Sequence, residues 1–299
     1  MGKKGSLDIH GVIPAMVTPL SEDDKVNEAA LRKLVDYLIE SGVHGIFATG
    51  SQGEFYALGA DEKRFVWEVT VDQANGRVPV YAGTGGVTTR EAVDLTRMAE
   101  AAGVDAVSVI TPYFIRPTQE ELESHYQAVA GATSLPVLMY GNPGRTGVSL
   151  SVDTVVRLSE VGNIVGVKDS SGDLTLLGEY VRCTPEDFAV LAGRDTLIYG
   201  ALCYGAKGAI AATANVAPAL VVEIYQRFCE GDMPGALQAQ YRLAPLRLSF
   251  ELGSFPVVVK EALDLLGFAA GRARAPINPL PEEKRQALRE VLVRMGLLE

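Results

Sequence analysis

The chain has 299 residues, of which 47% are hydrophobic, 21% charged and 7% aromatic, with 31 Gly and 15 Pro. This composition excludes a disordered, collagen-like or disulfide-stapled chain and leaves room for a sizeable core. A net charge of -10, from 27 Lys+Arg against 37 Asp+Glu, with no basic run longer than Lys3-Lys4, argues against nucleic acid as a partner.

The longest uncharged run, 124–144, is broken by His125, Gln127, Ser134 and Pro136, so it cannot supply the roughly 20 apolar residues of a membrane span. The opening lacks an apolar stretch, and no signal peptide is expected. Met1-Gly2 with Ser6 fits a loose myristoylation pattern of the kind that recurs by accident. Cys183, Cys203 and Cys229 are odd in number and too widely spaced for a CxxC motif; buried free thiols in a reducing cytoplasm are the expectation.

Along the chain, short β-branched runs at 12–17, 45–49, 78–82, 106–109, 137–140, 164–167, 188–191 and 208–211 alternate with amphipathic stretches of 3.6-residue period. In the first of these stretches Asn27 can cap the helix, Leu31, Leu34, Val35, Leu38 and Ile39 form the apolar stripe, and Gly42 ends it. Further helices are predicted to start at Asp61, Thr89, Thr118, Ser151, Asp173, Asp195 and Pro218. Strands apolar on both faces, each followed by a helix, require a covered parallel sheet, and closure at eight gives an α/β fold, the (β/α)8 barrel, over 1–230. From 231 to 299 only helical patterns remain, at 233–252, 255–266 and 281–296, with no low-complexity linker before them. This reads as a C-terminal helical extension packed on the barrel, not as an independently folding unit.

In such a barrel the active site lies at the C-terminal ends of the strands. All three histidines fail that test: His10 and His44 precede strands, and His125 sits in a helix. A His-based triad or a His-ligated zinc is therefore hard to build. Of nine lysines, only Lys168 ends a predicted strand; Lys207 precedes the eighth strand, and the rest lie in the N-terminal tail, the first loop or helices. An amine among apolar strand residues is desolvated, which frees its lone pair for attack on a ketone. The alternative is a Lys paired with the neighbouring Asp169.

Other strand ends add to this picture. Gly50-Ser51-Gln52-Gly53-Glu54 offers backbone N–H groups and a hydroxyl to a carboxylate. Tyr140, followed by the rigid turn Gly141-Asn142-Pro143-Gly144-Arg145-Thr146-Gly147, presents a phenol that can relay protons and a guanidinium that can grip a carboxylate. Gly83-Thr84-Gly85-Gly86 leads into neither a GxGxxG nor a Walker pattern and reads as a plain loop.

Over nearly the whole chain, from Gly11-Val12-Ile13-Pro14-Ala15-Met16-Val17-Thr18-Pro19 onward, the sequence resembles the dihydrodipicolinate synthase and N-acetylneuraminate lyase family of class I pyruvate aldolases. The motifs that carry the resemblance are Gly50 to Glu54, Thr111-Pro112-Tyr113-Phe114, Tyr140 to Gly147, and Gly166-Val167-Lys168-Asp169-Ser170-Ser171-Gly172-Asp173. The resemblance implies that Lys168 forms a Schiff base with pyruvate, Tyr140 shuttles protons, and Ser51 with nearby N–H groups holds the pyruvate carboxylate. It further implies a homotetramer built as a dimer of dimers, with neither metal nor organic cofactor.

Two departures bear on the substrate. The synthases usually show Thr-Thr where this chain has Ser51-Gln52, and a second Tyr, reaching across a dimer interface, where it has Phe114. Arg145 matches the Arg associated with the carboxylate of aspartate semialdehyde. With Gln52 and Phe114 read as substrate-binding positions, the chain is expected to be a lyase acting on 2-keto-3-deoxy sugar acids or 4-hydroxy-2-oxo acids. The alternative is a lysine-pathway 4-hydroxy-tetrahydrodipicolinate synthase. An imine-dependent dehydratase and a non-catalytic keto-acid-binding barrel stand behind both.

Overall fold

The structure is a computed structural model describing residues 7–299; the Lys3-Lys4 pair and the Met1-Gly2 pattern lie outside the described residues. Eight strands form one parallel sheet: β1 (Gly11–Pro14), β2 (Ile46–Ala48), β3 (Val80–Gly83), β4 (Ala106–Ile110), β5 (Val137–Gly141), β6 (Ile164–Asp169), β7 (Ala189–Ala192) and β8 (Gly208–Ala211). Neighbours follow in sequence from β2 to β8, and β8 pairs with β1. A parallel bridge between Ala15 and Phe47, with bonds from Met16 N to Phe47 O (2.9 Å) and His44 N to Val12 O (2.8 Å), joins β1 to β2 and closes the (β/α)8 barrel.

The helices are α1 (Glu28–Glu40), α2 (Ala60–Ala74), α3 (Thr89–Ala101), α4 (Gln119–Ala130), α5 (Pro143–Thr146), α6 (Val152–Ser159), α7 (Leu174–Cys183), α8 (Ile198–Cys203) and α9 (Pro218–Cys229), then α10 (Met233–Leu248), α11 (Val257–Leu265) and α12 (Glu282–Arg294). Asn27 accepts from Ala30 N at the start of α1, and Gly42 just beyond its end takes φ +83°, a left-handed conformation that glycine adopts without a Cβ penalty. At α4, Thr118 and Glu121 form a capping box, and Asp173 caps α7. Several details differ from the sequence reading: the helix expected from Asp195 opens as a 3-10 turn over Asp195–Leu197 and becomes α8 only at Ile198, and the first strand, expected at 12–17, spans Gly11–Pro14. The segment after β5, expected as a turn, folds into the one-turn helix α5, with Pro143 at its first position. Helix α2 starts one residue early, behind Gly59, because the Glu62 carboxylate accepts from Gly59 N at 2.9 Å.

Ile13, Phe47, Tyr81, Leu138, Leu191 and Ile210 plug the barrel interior. The barrel is therefore a packed core and any site must lie at its mouth. Outside the strands one apolar shell runs from Leu34 and Trp67 through Leu243 and Leu246 of α10 to Val258 and Leu263 of α11 and Leu288 of α12. The helices beyond 231 thus bury their stripes against the same core as the barrel helices.

The cysteines correct one expectation. All three are free, but Cys203 and Cys229 are exposed and Cys183 is half-buried. Each is the last residue of its helix (α7, α8 and α9), where the amphipathic stripe has turned toward solvent. No helix of the described residues is long and apolar enough to cross a membrane.

Candidate active site

The parallel register decides which strand-end side chains meet. Tyr140 of β5 stands directly beside Lys168 of β6. The Lys168 ammonium lies 4.1 Å from the centre of the Tyr140 ring and 5.3 Å from that of Phe47. Both residues are buried, and no carboxylate pairs with Lys168 among the described residues. Asp169, the partner the sequence leaves open, turns away: its carboxylate accepts from Ser171 N (3.0 Å) and Ser171 Oγ (2.8 Å). Burial outweighs those two bonds and raises the Asp169 carboxyl above its ordinary value. Gly193 keeps the space beside Lys168 open, since a Cβ there would stand 2.0 Å from Ser170 Oγ and 3.1 Å from Lys168 Cε.

Ser51 reaches the same point from the turn after β2, its Oγ 3.4 Å from the Tyr140 hydroxyl. Asn142 Nδ2 donates to that hydroxyl at 2.9 Å. Burial pushes the Tyr140 phenol up, but the Lys168 charge and hydrogen bonds from Ser51, Asn142 and Ser170 together outweigh it. The phenol is held below its ordinary value. A phenol of that kind beside an unpaired amine is equipped to pass a proton.

The turn that carries Ser51 is tightly built. Thr49 and Glu54 both take positive φ (51° and 56°). Trp67 Nε1 donates to Thr49 Oγ1 at 2.7 Å, and Thr18 Oγ1 donates to Gly53 O at 2.8 Å. Gly50 and Gly53 are required by close approach, because a Cβ on the first would sit 2.5 Å from the Phe47 ring and on the second 3.0 Å from the backbone of Met16 and Thr49.

An inner cavity of about 110 Å³ is lined by Lys168, Tyr140, Ser51 and Gln52, with Arg145 at the rim. Five of the six residues singled out from the sequence thus converge. Phe114 does not. It is 94% exposed, with φ +76°, and does not line this cavity. Tyr113 packs on Phe55 instead, with ring centres 5.7 Å apart, beside Ile110 and Tyr140.

The cavity also contains Asn142, Ser170, Arg194 and Arg247, which sequence reasoning did not single out. The strand-end test applied to arginines would have found Arg194, two residues beyond β7. Nothing local marks Arg247, which arrives on α10. The histidines stay away from the site. His44 Nδ1 accepts from Val12 N below β1, and His125 on α4 lies beside Thr89. No group of three His, Cys, Asp or Glu side chains suited to a metal occurs among the described residues.

A family model described as the dihydrodipicolinate synthetase family matches residues 8–295. The 4-hydroxy-tetrahydrodipicolinate synthase of Methanopyrus kandleri is 42% identical, over 97% of both chains. Among solved structures, the dihydrodipicolinate synthase of Acinetobacter baumannii complexed with pyruvate superposes with a TM-score of 0.94 at 40% identity, covering 97% of this chain and 100% of that one. YagE of E. coli K12, a prophage protein of the dihydrodipicolinic acid synthase family also in complex with pyruvate, gives 0.93 at 32% identity, covering 96% and 99%. With a strand-end lysine beside a phenol at the mouth of a (β/α)8 barrel and matches of this extent, the chain belongs to the dihydrodipicolinate synthetase family and is a lyase of the Schiff-base aldolase type.

Proposed function

We propose that the enzyme joins pyruvate to an aldehyde through an imine on Lys168. The observation that carries this reading is the buried amine without a carboxylate partner among the described residues, 4.1 Å from the Tyr140 ring. The neutral amine adds to the C2 ketone of pyruvate, and Tyr140 supplies and removes the protons that convert the carbinolamine to the iminium and release water. Loss of a methyl proton gives an enamine, whose carbon attacks the aldehyde. The aldehyde oxygen takes a proton, and water then hydrolyses the imine to return Lys168. Ser51 and the backbone N–H groups of its turn hold the pyruvate carboxylate. Cleavage runs the same steps in reverse.

For the aldehyde, the reading best supported is aspartate semialdehyde, as in a 4-hydroxy-tetrahydrodipicolinate synthase. The name of the M. kandleri relative supports it, and so does Arg145 at the cavity rim, placed to take a carboxylate. This reverses the order of preference drawn from Gln52 and Phe114. The sugar-acid lyase remains the second reading because Gln52 is 3% exposed inside the cavity with an unbonded Oε1, a feature suited to a hydroxylated substrate. Turnover measured with pyruvate plus aspartate semialdehyde against 2-keto-3-deoxy acids decides between them. Efficient cleavage of a 2-keto-3-deoxy acid with only trace condensation overturns the synthase reading.

The exposed pair Phe114 (94%) and Ile115 (51%) supports assembly with a second copy of the chain. We propose the dimer of dimers that the resemblance implies, and a mass measured in solution tests it.

A further inference from the structure

Above the Lys168 cavity lies a second chamber of about 310 Å³. The two adjoin, with Gln52, Arg145, Arg194, Arg247, Phe250 and Phe255 lining both. Its wall joins distant parts of the chain: Arg145 from α5, Arg194 from beyond β7, and Arg247 with both aromatics from α10 and the segment before α11. Three guanidiniums face one carboxylate, Glu251. This local excess of positive charge occurs in a chain of net charge -10.

Many of the other arginines are matched to carboxylates, as Arg32 is with Glu28 and Asp72, Arg227 with Glu223 and Asp232, and Arg274 with Glu62. Arg145, Arg194 and Arg247 have no ion pair among the described residues. Arg145 is backed instead by the Phe255 ring at 3.9 Å and Arg247 by Phe250 at 4.9 Å. An aromatic ring supports a guanidinium without using its N–H donors, which stay available for an anion. Where the chambers meet, Gln52 Oε1 is buried without a hydrogen-bond partner, an acceptor that a ligand donor would satisfy.

We propose that Arg194 and Arg247 form an anion subsite beyond Arg145, so that the acceptor aldehyde carries its negative charge at the end remote from the reacting carbon and a second charge adds to its binding. Resting on the pyruvate-imine reading above, this ranks acceptors: a dianion first, a monoanion next, a neutral aldehyde last.

The test compares three aldehydes with pyruvate: glyceraldehyde 3-phosphate, succinic semialdehyde and glyceraldehyde. Arg194→Gln and Arg247→Gln are each expected to lower the ratio of anionic to neutral kcat/KM by about tenfold or more, as for a lost charge-assisted bond. Preference for succinic semialdehyde over glyceraldehyde 3-phosphate would assign Arg194 and Arg247 to carboxylate alone and overturn the dianion ranking. A ratio unchanged by both substitutions, or a preference for glyceraldehyde, overturns the subsite. A second arm needs no chemistry: glutarate, which cannot form an imine, is titrated calorimetrically into the parent and into the double variant. Weaker glutarate binding in the variant supports the subsite, and equal binding overturns it. Borohydride trapping of pyruvate on the parent reports the imine separately. Failed trapping with glutarate binding lost in the variant removes the proposed reaction and leaves the anion subsite standing.

Discussion

Lys168 and Lys260 are both buried amines, and they have opposite surroundings. Lys260 on α11 donates to Glu54 Oε1 at 2.6 Å and to Arg272 O at 2.9 Å, while Glu54 Oε2 accepts from Arg274 N at 2.8 Å. Its charge is matched on every side, although burial still pulls the ammonium below its ordinary value against the attraction of Glu54. Lys168 has two aromatic rings and an opening to the cavity in place of a carboxylate. A third buried lysine, Lys63, lies 5.8 Å from the Phe55 ring and lines neither chamber. Burial alone thus does not set the role of an amine; partner and access decide what it does, since one clamps the structure and the other faces a reactant.

The clamp also bears on the site. Glu54 ends the motif that carries Ser51 and Gln52, and its carboxylate is bonded by Lys260 Nζ and Arg274 N, both from the chain beyond 259. The C-terminal segment therefore fixes the turn at the mouth from a buried ion pair, which supports a stable position for the Ser51 hydroxyl.

The contrast can be broken most sharply at Lys168. Lys168→Arg keeps a positive charge but cannot form an imine, so nearly all turnover and all borohydride-dependent pyruvate mass are expected to vanish while the circular dichroism spectrum and melting curve stay close to the parent's. Mass appearing on Lys63 or Lys260 instead would erase the distinction drawn here. Next in size is Tyr140→Phe, expected to lower kcat by roughly 10² to 10⁴ with a smaller change in KM. Near-normal kcat would reduce Tyr140 to a packing role.

At the clamp, Lys260→Met leaves Glu54 buried and unpaired, and should cost about 3–5 kcal/mol of stability. The protein that remains folded should still trap pyruvate on Lys168. Removing both charges, with Glu54→Leu and Lys260→Met together, should recover part of the loss, as read from denaturant midpoints. A double variant less stable than the single one would contradict the pairing.

Phe114→Tyr is expected to change the stability of the isolated chain by no more than about 0.5 kcal/mol, because the side chain is exposed there, and to act mainly on the assembly with a second copy proposed above. A larger loss, growing with protein concentration, would place the residue in an interface. The smallest expected effect is none at all: excess EDTA should leave the rate unchanged, whereas activity lost to chelation and restored by a divalent ion would count against imine chemistry.

Local pattern was enough for much of this molecule. Alternating β-branched runs and capped 3.6-period stretches give the eight strand-helix units, because periodicity and caps encode which face of each element is apolar and where it stops. The strand-end rule then separates Lys168 from eight other lysines and places Tyr140 and Arg145 beside it. Which residues touch is a different matter. The pairing of Tyr140 with Lys168 follows from the β5–β6 register, and the Glu54–Lys260 bond spans 206 residues. Arg247 belongs to the mouth only because α10 packs back over the barrel, and Phe114, at φ +76°, is left exposed away from the cavity. These contacts depend on barrel closure and on where non-local helices find buried surface, which no window of neighbouring residues contains.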